Sequence, residues 1–537
     1  MKPSSAVRHP WFVKDSLFCL LSATSLILSF PTFNIWFFAW FGFVPLFFTL
    51  QSKSKLRAFF LAYLTGIIFW WGLIYWLVYV TFIGTFVLIL YLALYFGIFG
   101  LVVSQFYLLP TTYYLLLLPS SWVLLEYIRA HLFTGFPWAL LGNSQYLNLP
   151  VIQIADLTGV YGVSFLVMMV NVLIYSVARC PCLTGRQALS VAREKQKYFL
   201  PLLIIFFVLV YGYFKLLQAN RLTDQQATMK ISVIQGNIPQ ELKWDSKNNG
   251  FIINKYINLT VQAAKDKPDL IIWPEAAMPC VLEEAPIFYE KVKEFAKRIK
   301  TPLVLGAVIA KDENYYNSAL FISSEGKLLN RYDKLHLVPF GEYIPLKKIL
   351  PFLETVVPIG DITAGKEYTV FSLKDLLASY PVNQLASSNR QTGKQANRQT
   401  KFSVLICFED LFPELSRQFV KKGANFLVNI TNDAWYKRSS APFQHLQASV
   451  FRAVENRVYL ARAANTGVSG FILPTGKIIS LVQDESSRKI FVDGFATQDI
   501  FMPEWPLSFY TRYGDILPFV CLLFIIYSKI ITFKNKR

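Results

Sequence analysis

Charged residues are scarce in this 537-residue chain. They make up 16% of the sequence, whereas about 25% is usual for a soluble globular protein. Hydrophobic residues supply 54%, including 47 phenylalanines. The apolar excess lies between residues 15 and 217 and between 514 and 533, where single runs approach the roughly 20 residues that cross a bilayer. The composition excludes an ordinary soluble protein and predicts an integral membrane protein.

Several catalytic signatures are absent. The four histidines (His9, His131, His336 and His445) form no His-Glu-x-x-His zinc pattern. There is also no Gly-x-Ser-x-Gly turn and no phosphate-binding loop. We therefore expect neither a metal nor a cofactor.

The six cysteines give no disulfide framework. Only Cys280 and Cys407 lie in the long segment between the two apolar regions. A disulfide between them is conceivable in an oxidising compartment, but it would consume a candidate nucleophile. We expect Cys280 to be buried and unreactive instead.

The apolar regions contain eight candidate membrane spans. They lie near 15–30, 33–50, 58–80, 83–108, 113–131, 157–178, 198–217 and 514–533. The first two are short and flank Pro31, so they are either two spans or one re-entrant pair. In the fifth span, Glu126 and Arg129 are spaced i and i+3. They are expected either to act in headgroup contact or gating or to form a structural ion pair near the interface, and the sequence favours neither.

Lysine and arginine clusters orient these spans. They precede the first span, lie between the second and third and between the sixth and seventh, and follow the last. With eight spans all four clusters fall on one side, which the positive-inside rule makes cytoplasmic. Both termini are then cytoplasmic, and residues 218–512 face the periplasm of a bacterial inner membrane. The loops account for much of the net charge of +19, so no nucleic-acid partner is expected.

Short β-rich runs alternate with amphipathic helices after residue 228. We predict strands at 230–235, 269–273, 302–306, 402–407 and 425–430, a hairpin at 316–332, and closing strands at 466–473 and 476–481. Helices are predicted at 248–265, 285–300, 412–422 and 444–464. Helices that cover mixed sheets predict a layered sandwich. The domains expected are 1–217, a membrane helical domain; 228–500, a catalytic domain with a polar surface insertion at 383–400; and 512–537, a final span with a basic tail.

Three chemically active side chains each lie at the end of a predicted strand of this domain. Cys407 follows Phe402-Ser-Val-Leu-Ile, Glu275 follows Ile271-Ile-Trp-Pro, and Lys334 follows Arg331-Tyr-Asp. Such a set suits acyl transfer, with Glu275 as the base for Cys407 and with Lys334 and the Phe408 N–H stabilising the oxyanion. Singly, the three residues could be a buried structural cysteine, a helix cap and a turn lysine. Their joint occurrence at strand ends favours catalysis.

These segments resemble the three motifs of the nitrilase superfamily. The motifs are Trp273-Pro-Glu275, Asp333-Lys-Leu-His-Leu-Val-Pro-Phe-Gly-Glu-Tyr343 and Cys407-Phe-Glu409. Within a polytopic membrane protein they resemble the apolipoprotein N-acyltransferase family specifically, and the likeness extends to 235–244, 431–435, 135–138 and 142–145. The resemblance implies an α+β chain: a polytopic α-helical membrane bundle of about eight spans plus a nitrilase-like αββα sandwich. It also implies a monomer with two partners, a membrane phospholipid as acyl donor and a diacylglyceryl apolipoprotein as acceptor.

The resemblance further implies a ping-pong reaction through a Cys407 thioester. Glu275, Lys334 and Cys407 correspond to a catalytic triad, and Glu342 to a supporting carboxylate. Other positions that match the activity or pocket residues of the family are Trp244, Phe408, Glu409, Asp433 and Trp435. Phe408 stands where some members have tyrosine, so no role of a phenol hydroxyl is expected there. Two alternatives remain: a membrane-tethered amidohydrolase that uses water as the second nucleophile, and a transporter, which the few charges in the spans disfavour.

Overall fold

The computed structural model of the protein describes residues 10–106, 111–179, 188–222, 228–344, 362–373, 400–502 and 505–534. The insertion predicted at 383–400 lies outside the described residues, except for Thr400 at its end. The chain divides into two compact units. The helical unit comprises Met1–Tyr213 and Asp515–Arg537, and the α/β unit comprises Phe214–Gly514.

Apolar helices build the helical unit. They are α1 (Pro10–Leu28), α2 (Val44–Leu50), α3 (Lys55–Ile74), α4 (Phe82–Phe106), α5 (Thr111–His131), α6 (Leu149–Ile152), α7 (Ala155–Thr158), α8 (Val160–Arg179), most of α9 (Ala188–Leu222) and, from the end of the chain, α15 (Ile516–Lys534). In the part of the chain described, four stretches are long and apolar enough to cross a membrane: Lys55–Tyr79, Phe82–Gln105, Val160–Arg179 and Tyr198–Ala219. These four coincide with the third, fourth, sixth and seventh predicted spans.

The other predicted spans form more varied elements. The segment predicted at 33–50 is divided between a 3-10 turn (Trp36–Trp40) and α2. The seven residues of α2 rise about 10 Å, well short of the ~30 Å hydrocarbon layer. The fifth predicted span is α5, which contains Pro119.

Glu126 and Arg129 of α5 both bind the segment that follows this helix. Arg129 Nη1 donates to the carbonyls of Phe136 at 2.9 Å and Trp138 at 2.8 Å. Glu126 Oε1 accepts from the Leu141 N–H at 2.6 Å. No salt bridge of 4.0 Å or less joins these two described side chains, although the charge of each acts on the other. Their hydrogen bonds hold residues 136–141, and both alternatives for their role stay predictions.

Two six-stranded sheets form the α/β unit. The first has the order β12–β1–β2–β3–β4–β5 and the second β11–β10–β9–β8–β7–β6. In chain order the strands are β1 (Thr228–Gln235), β2 (Leu270–Ile272), β3 (Leu303–Lys311), β4 (Asn314–Ile322), β5 (Leu328–Asp333), β6 (Phe371–Ser372), β7 (Lys401–Ile406), β8 (Phe426–Thr431), β9 (Tyr459–Ala464), β10 (Gly470–Ile472), β11 (Ile478–Ile479) and β12 (Gly494–Phe501). Each sheet has three parallel strands at its centre, β1–β3 or β7–β9, and antiparallel strands outside them.

Aromatic side chains link the two sheets. Phe321 of β4 lies 5.3 Å from Phe402 of β7 and 5.8 Å from Phe371 of β6, measured between ring centroids. Helices α10 (Asn249–Ala263) and α11 (Pro286–Ile299) share a buried apolar core with the first sheet. The remaining helices, α12 (Pro413–Lys421), α13 (Ala441–Asn456) and α14 (Phe509–Tyr513), contact one another, and the first two also contact the second sheet.

One helix prediction and one strand prediction need correction. The helix predicted at 444–464 ends as α13 at Asn456, because Arg457 has a left-handed conformation with φ +56°. Residues Tyr459–Ala464 form the buried parallel strand β9, and a strand buried on both faces lacks the alternation that marks an exposed one. The predicted closing strands are also not the last: β12 follows them and pairs with all eight residues of β1.

Candidate active site

Cys407 follows β7 directly, where the chain enters a 3-10 turn (Cys407–Leu411). Its φ of +53° is left-handed, which is uncommon for a residue with a β-carbon and typical of strained positions at functional sites. The residue is 7% exposed. The nucleophile candidate therefore lies in a sharp turn at the carboxyl end of a central strand.

Glu275 lies beyond the end of β2, and both its carboxylate oxygens are held. Oε1 accepts from Asn317 Nδ2 and Oε2 from the Asn432 N–H, each at 2.8 Å. Gly306 of β3 permits this close packing, since a β-carbon there would lie 2.6 Å from the Glu275 Cα. Upstream, the buried indole of Trp273 donates to Thr260 Oγ1 at 2.8 Å and fixes the end of the strand. The carboxylate is thus anchored before any substrate binds.

Lys334 follows β5 and is 1% exposed. Its Nζ lies 2.8 Å and 3.0 Å from the two Glu342 oxygens and 3.7 Å from Glu275 Oε1. Burial lowers the pKa of Lys334, but the charges of Glu342 and Glu275 outweigh this and hold the pKa above its ordinary value. Lys334 is therefore an ammonium at neutral pH.

Asn317 of β4 joins the two carboxylates. Its Nδ2 donates to Glu275 Oε1 and to Glu342 Oε1, both at 2.8 Å. Its backbone carbonyl accepts from the Lys334 N–H at 2.9 Å. The sequence analysis missed this residue, although an asparagine within a predicted strand is a signal that could have identified it, since a buried amide needs hydrogen-bond partners.

The Cys407 thiol requires a base. Burial raises its pKa well above the ordinary value, and the Glu275 carboxylate raises it further, whereas Lys334 lowers it. The thiol is therefore protonated at neutral pH, and Glu275 is the carboxylate whose charge acts on it most strongly.

Glu409 ties the nucleophile turn to the Lys334 turn. One oxygen accepts from the Ile406 N–H at 2.7 Å. The other accepts from the N–H groups of Leu335 and His336 at 2.7 Å and 3.0 Å and from the Tyr332 hydroxyl at 2.8 Å. Glu409 is fully buried, so these four hydrogen bonds make it a structural link within the site.

A buried charged cluster contacts the Cys407 turn. His445 lies between two carboxylates, with Nε2 2.9 Å from Asp410 Oδ1 and Nδ1 2.9 Å from Asp433 Oδ1. Arg462 also reaches both, at 3.0 Å and 3.4 Å. Burial lowers the pKa of His445, but Asp410 and Asp433 outweigh it and raise the pKa to about 9. Two cations and two anions therefore balance in this cluster, which places the predicted Asp433 in a supporting position.

This cluster also holds the Cys407 peptide. His445 Nε2 lies 3.2 Å from the Cys407 carbonyl oxygen, and Asn429 Nδ2 lies 3.3 Å from it. Because a peptide unit is planar, holding the carbonyl also fixes the Phe408 N–H, the expected oxyanion donor. His445 entered the sequence analysis only as a residue without a zinc pattern, so this position was missed.

The other predicted site residues differ in how exposed they are. Phe408 is buried, and its ring contacts that of Phe412 at 5.2 Å between centroids. Trp244 and Trp435 are each about half exposed, unlike the triad candidates.

Cys280 is half-buried rather than buried, and both it and Cys407 are free thiols, so the disulfide alternative is wrong. Within the described ranges, no three His, Cys, Asp or Glu side chains form a group that could hold a metal ion.

Comparisons with known proteins match both parts of the chain. Residues 22–173 match the family model of the apolipoprotein N-acyltransferase N-terminal domain, and residues 230–493 match that of carbon-nitrogen hydrolases. A variant of the Nesterenkonia AN1 amidase from the nitrilase superfamily is similar in fold, with 18% identity, 54% of this chain and 95% of that chain covered, and a TM-score of 0.38.

Two relatives align over nearly the whole chain. The apolipoprotein N-acyltransferase of Geobacter metallireducens is 37% identical over 97% of this chain and 96% of its own length. That of Chlorobaculum tepidum is 29% identical over 94% and 93%. This protein therefore belongs to the apolipoprotein N-acyltransferase family and is a membrane acyltransferase that acts in lipoprotein maturation.

Proposed function

We propose that the protein moves an acyl chain from a phospholipid, through a Cys407 thioester, to the α-amino group of the diacylglyceryl-modified N-terminal cysteine of an apolipoprotein. Family membership supplies the lipid and lipoprotein substrates. The inference of a thioester intermediate rests on the geometry of the site. The support for it is a buried Cys407 thiol whose pKa is raised by burial and by the Glu275 charge, a Glu275 carboxylate that is anchored through both oxygens, and a Lys334 ammonium that is paired with Glu342.

The first half-reaction forms the thioester. Glu275 takes the proton from Cys407, and the sulfur attacks the carbonyl carbon of the phospholipid ester. Lys334 and the Phe408 N–H stabilise the negative charge on the carbonyl oxygen of the tetrahedral intermediate. The ester C–O bond then breaks, Glu275 returns its proton to the leaving oxygen, and a lysophospholipid departs.

The second half-reaction forms the amide. The neutral α-amine of the apolipoprotein cysteine attacks the thioester carbon and gives up a proton to Glu275. The C–S bond breaks, and the Cys407 sulfur regains that proton from Glu275. Both half-reactions use the same base, Glu275, and the same cation, Lys334, which agrees with ping-pong kinetics.

The arrangement of the chain follows from the same proposal. We infer eight spans, an αββα sandwich in residues 228–500, and a membrane domain formed by 1–217 with 512–537. The basic loops favour cytoplasmic termini and a periplasmic catalytic domain in the inner membrane. Substrates that carry acyl chains explain why a hydrolase-type domain is joined to membrane helices at all, and a monomer suffices because the α/β unit contains every triad residue.

Mass spectrometry of the purified protein after incubation with phospholipid tests the proposal. We expect an acyl adduct on Cys407 that a diacylglyceryl-cysteine peptide discharges to give an acylated peptide. Cys407→Ala should abolish the adduct and the transfer, whereas Cys280→Ala, the matched control, should retain both. An adduct discharged by water alone would show an amidohydrolase-type enzyme, and transfer by Cys407→Ala would disprove the nucleophile.

A further inference from the structure

Lys243 is a second buried lysine of the candidate active site, and the sequence motifs assign it no role. It follows a 3-10 turn (Gln240–Leu242) and precedes the half-exposed Trp244. Its side chain is buried, with 1% of the residue exposed. Its Nζ donates to the main-chain carbonyl of Glu275 at 3.1 Å. Lys243 thus binds the residue that is proposed to act as the base.

The segment that carries Lys243 is anchored around Glu275 at other points as well. The Asn432 N–H binds Glu275 Oε2, and Asn432 Nδ2 donates to Gln240 Oε1 at 2.9 Å. Asn465 holds Ile238 through its N–H and its carbonyl, at 2.9 Å and 2.8 Å. Lys243 therefore lies at a fixed position beside the catalytic carboxylate rather than at the end of a freely moving loop.

Keeping an ammonium at this position costs stability. A lysine has three N–H donors, and within the described residues this one makes a single hydrogen bond, to a neutral carbonyl. Burial lowers the pKa of Lys243 to about 8, although the charges of Glu275 and Cys407 act in the opposite direction. A methionine of similar length would avoid this cost. A costly buried charge beside reacting groups indicates a functional reason for it.

The charge balance of the site supplies that reason. Glu275 and Glu342 bring two negative charges, and Lys334 supplies only one positive charge. Lys243 supplies a second, so these two carboxylates have two buried lysines as counter-charges. When the thiol gives its proton to Glu275, negative charge passes to sulfur and then to the substrate oxygen, and two nearby cations favour that transfer more than one does.

We propose that Lys243 is a second active-site cation, which positions Glu275 through its main chain and promotes the ionisation of Cys407 together with Lys334. The inference rests on the proposed Cys407 mechanism and extends it. Apart from burial, the charges of Glu275 and Cys407 have the largest effect on the pKa of Lys243. Loss of the ammonium should therefore change the ionisation of Cys407 itself, which a purely structural role would leave alone.

The test compares Lys243→Met, Lys243→Arg and a control, Lys247→Met, in the full-length detergent-solubilised protein. Lys247 is an exposed lysine of the same segment. Two quantities are measured: the single-turnover rate of Cys407 acylation by phospholipid, and the pH dependence of Cys407 alkylation by iodoacetamide. We expect Lys243→Met to acylate at least tenfold more slowly and its alkylation midpoint to shift to higher pH. Lys243→Arg should recover much of the rate, and Lys247→Met should match the wild type.

Thermal unfolding separates function from folding. We expect Lys243→Met to have an unchanged or higher Tm, because a buried charge has been removed. A lower Tm with an unshifted alkylation midpoint would make Lys243 structural and overturn the inference. A wild-type acylation rate in Lys243→Met would also overturn it, while an inactive Cys407→Ala measured alongside would leave the proposed function intact.

Discussion

Asn317→Asp tests the hydrogen bonds that hold Glu275 and Glu342 in the candidate site. The substitution keeps the size and shape of the side chain but replaces the Nδ2 donor with a carboxylate oxygen. In the wild type this one nitrogen donates to both Glu275 and Glu342 at 2.8 Å. The variant would place a third carboxylate against two others, with Lys334 as the cation that contacts both.

The expected cost follows from the two hydrogen bonds. Hydrogen bonds to charged groups contribute about 1.5–3 kcal/mol each, so about 3 kcal/mol is the lower estimate for losing both. If that cost falls on the proton transfer from Cys407 to Glu275, the acylation rate drops about 100-fold or more, at 1.36 kcal/mol per factor of ten. Like-charge repulsion adds to this, because a third negative charge favours protonation of one carboxylate.

Single-turnover acylation measures this effect directly. The thioester on Cys407 is quantified by mass spectrometry at fixed times after mixing with phospholipid. Asn314→Asp is the matched control, because Asn314 lies on the same strand with its amide donating to an exposed carbonyl. Acylation by a folded Asn317→Asp protein within threefold of the wild-type rate would refute the reasoning that Asn317 holds the base and the supporting carboxylate.

Two further predictions concern the frame around the site. The pKa of His445 is raised from 6.5 to about 9 in the folded protein, so the stability that its ion pairs contribute, about 3 kcal/mol, is fully present below pH 6.5 and is lost as the pH rises through 9. Unfolding in detergent between pH 6 and 8 should show this decline, and His445→Gln should flatten it; an identical slope in the variant would contradict the assignment. Glu409→Gln replaces one carboxylate oxygen with an NH2 group, which cannot accept a hydrogen bond. Either the bond from the Ile406 N–H or the bonds from the Lys334 turn are therefore lost. It should lower the unfolding free energy by about 2 kcal/mol and reduce acylation, and a wild-type Tm would exclude the linking role of Glu409.

The sequence was sufficient to identify residues at strand ends. Glu275 and Cys407 each follow an apolar run and Lys334 follows a predicted hairpin strand, so all three strand ends are visible locally. The family was likewise recognisable, because its motifs are contiguous. The helix predicted at 444–464 failed where the buried strand β9 overrides local helix preference in Tyr459–Ala464.

The supporting residues could not be read from the sequence because they act across long separations. Asn317 reaches Glu275 from 42 residues away, and Asn432 reaches it from 157. His445 and Cys407 are 38 residues apart. Pairing of β2, β3 and β4 brings Asn317 to Glu275, but Asn432 follows a strand of the other sheet and His445 lies on α13, so their contacts depend on tertiary packing. Charge and hydropathy patterns contain no information on those contacts.

The hydrogen bonds of Glu409 have a consequence for the order of events in a two-substrate reaction. Because this carboxylate joins the turns that carry Cys407 and Lys334, the nucleophile and its cation are constrained to move together. In the proposed mechanism, one preorganised site then receives a phospholipid ester first and an amine second, without rearranging between the two. The exchange of lysophospholipid for lipoprotein is then left to more exposed residues such as Trp244 and Trp435, and we expect this exchange, rather than the chemistry at sulfur, to limit turnover.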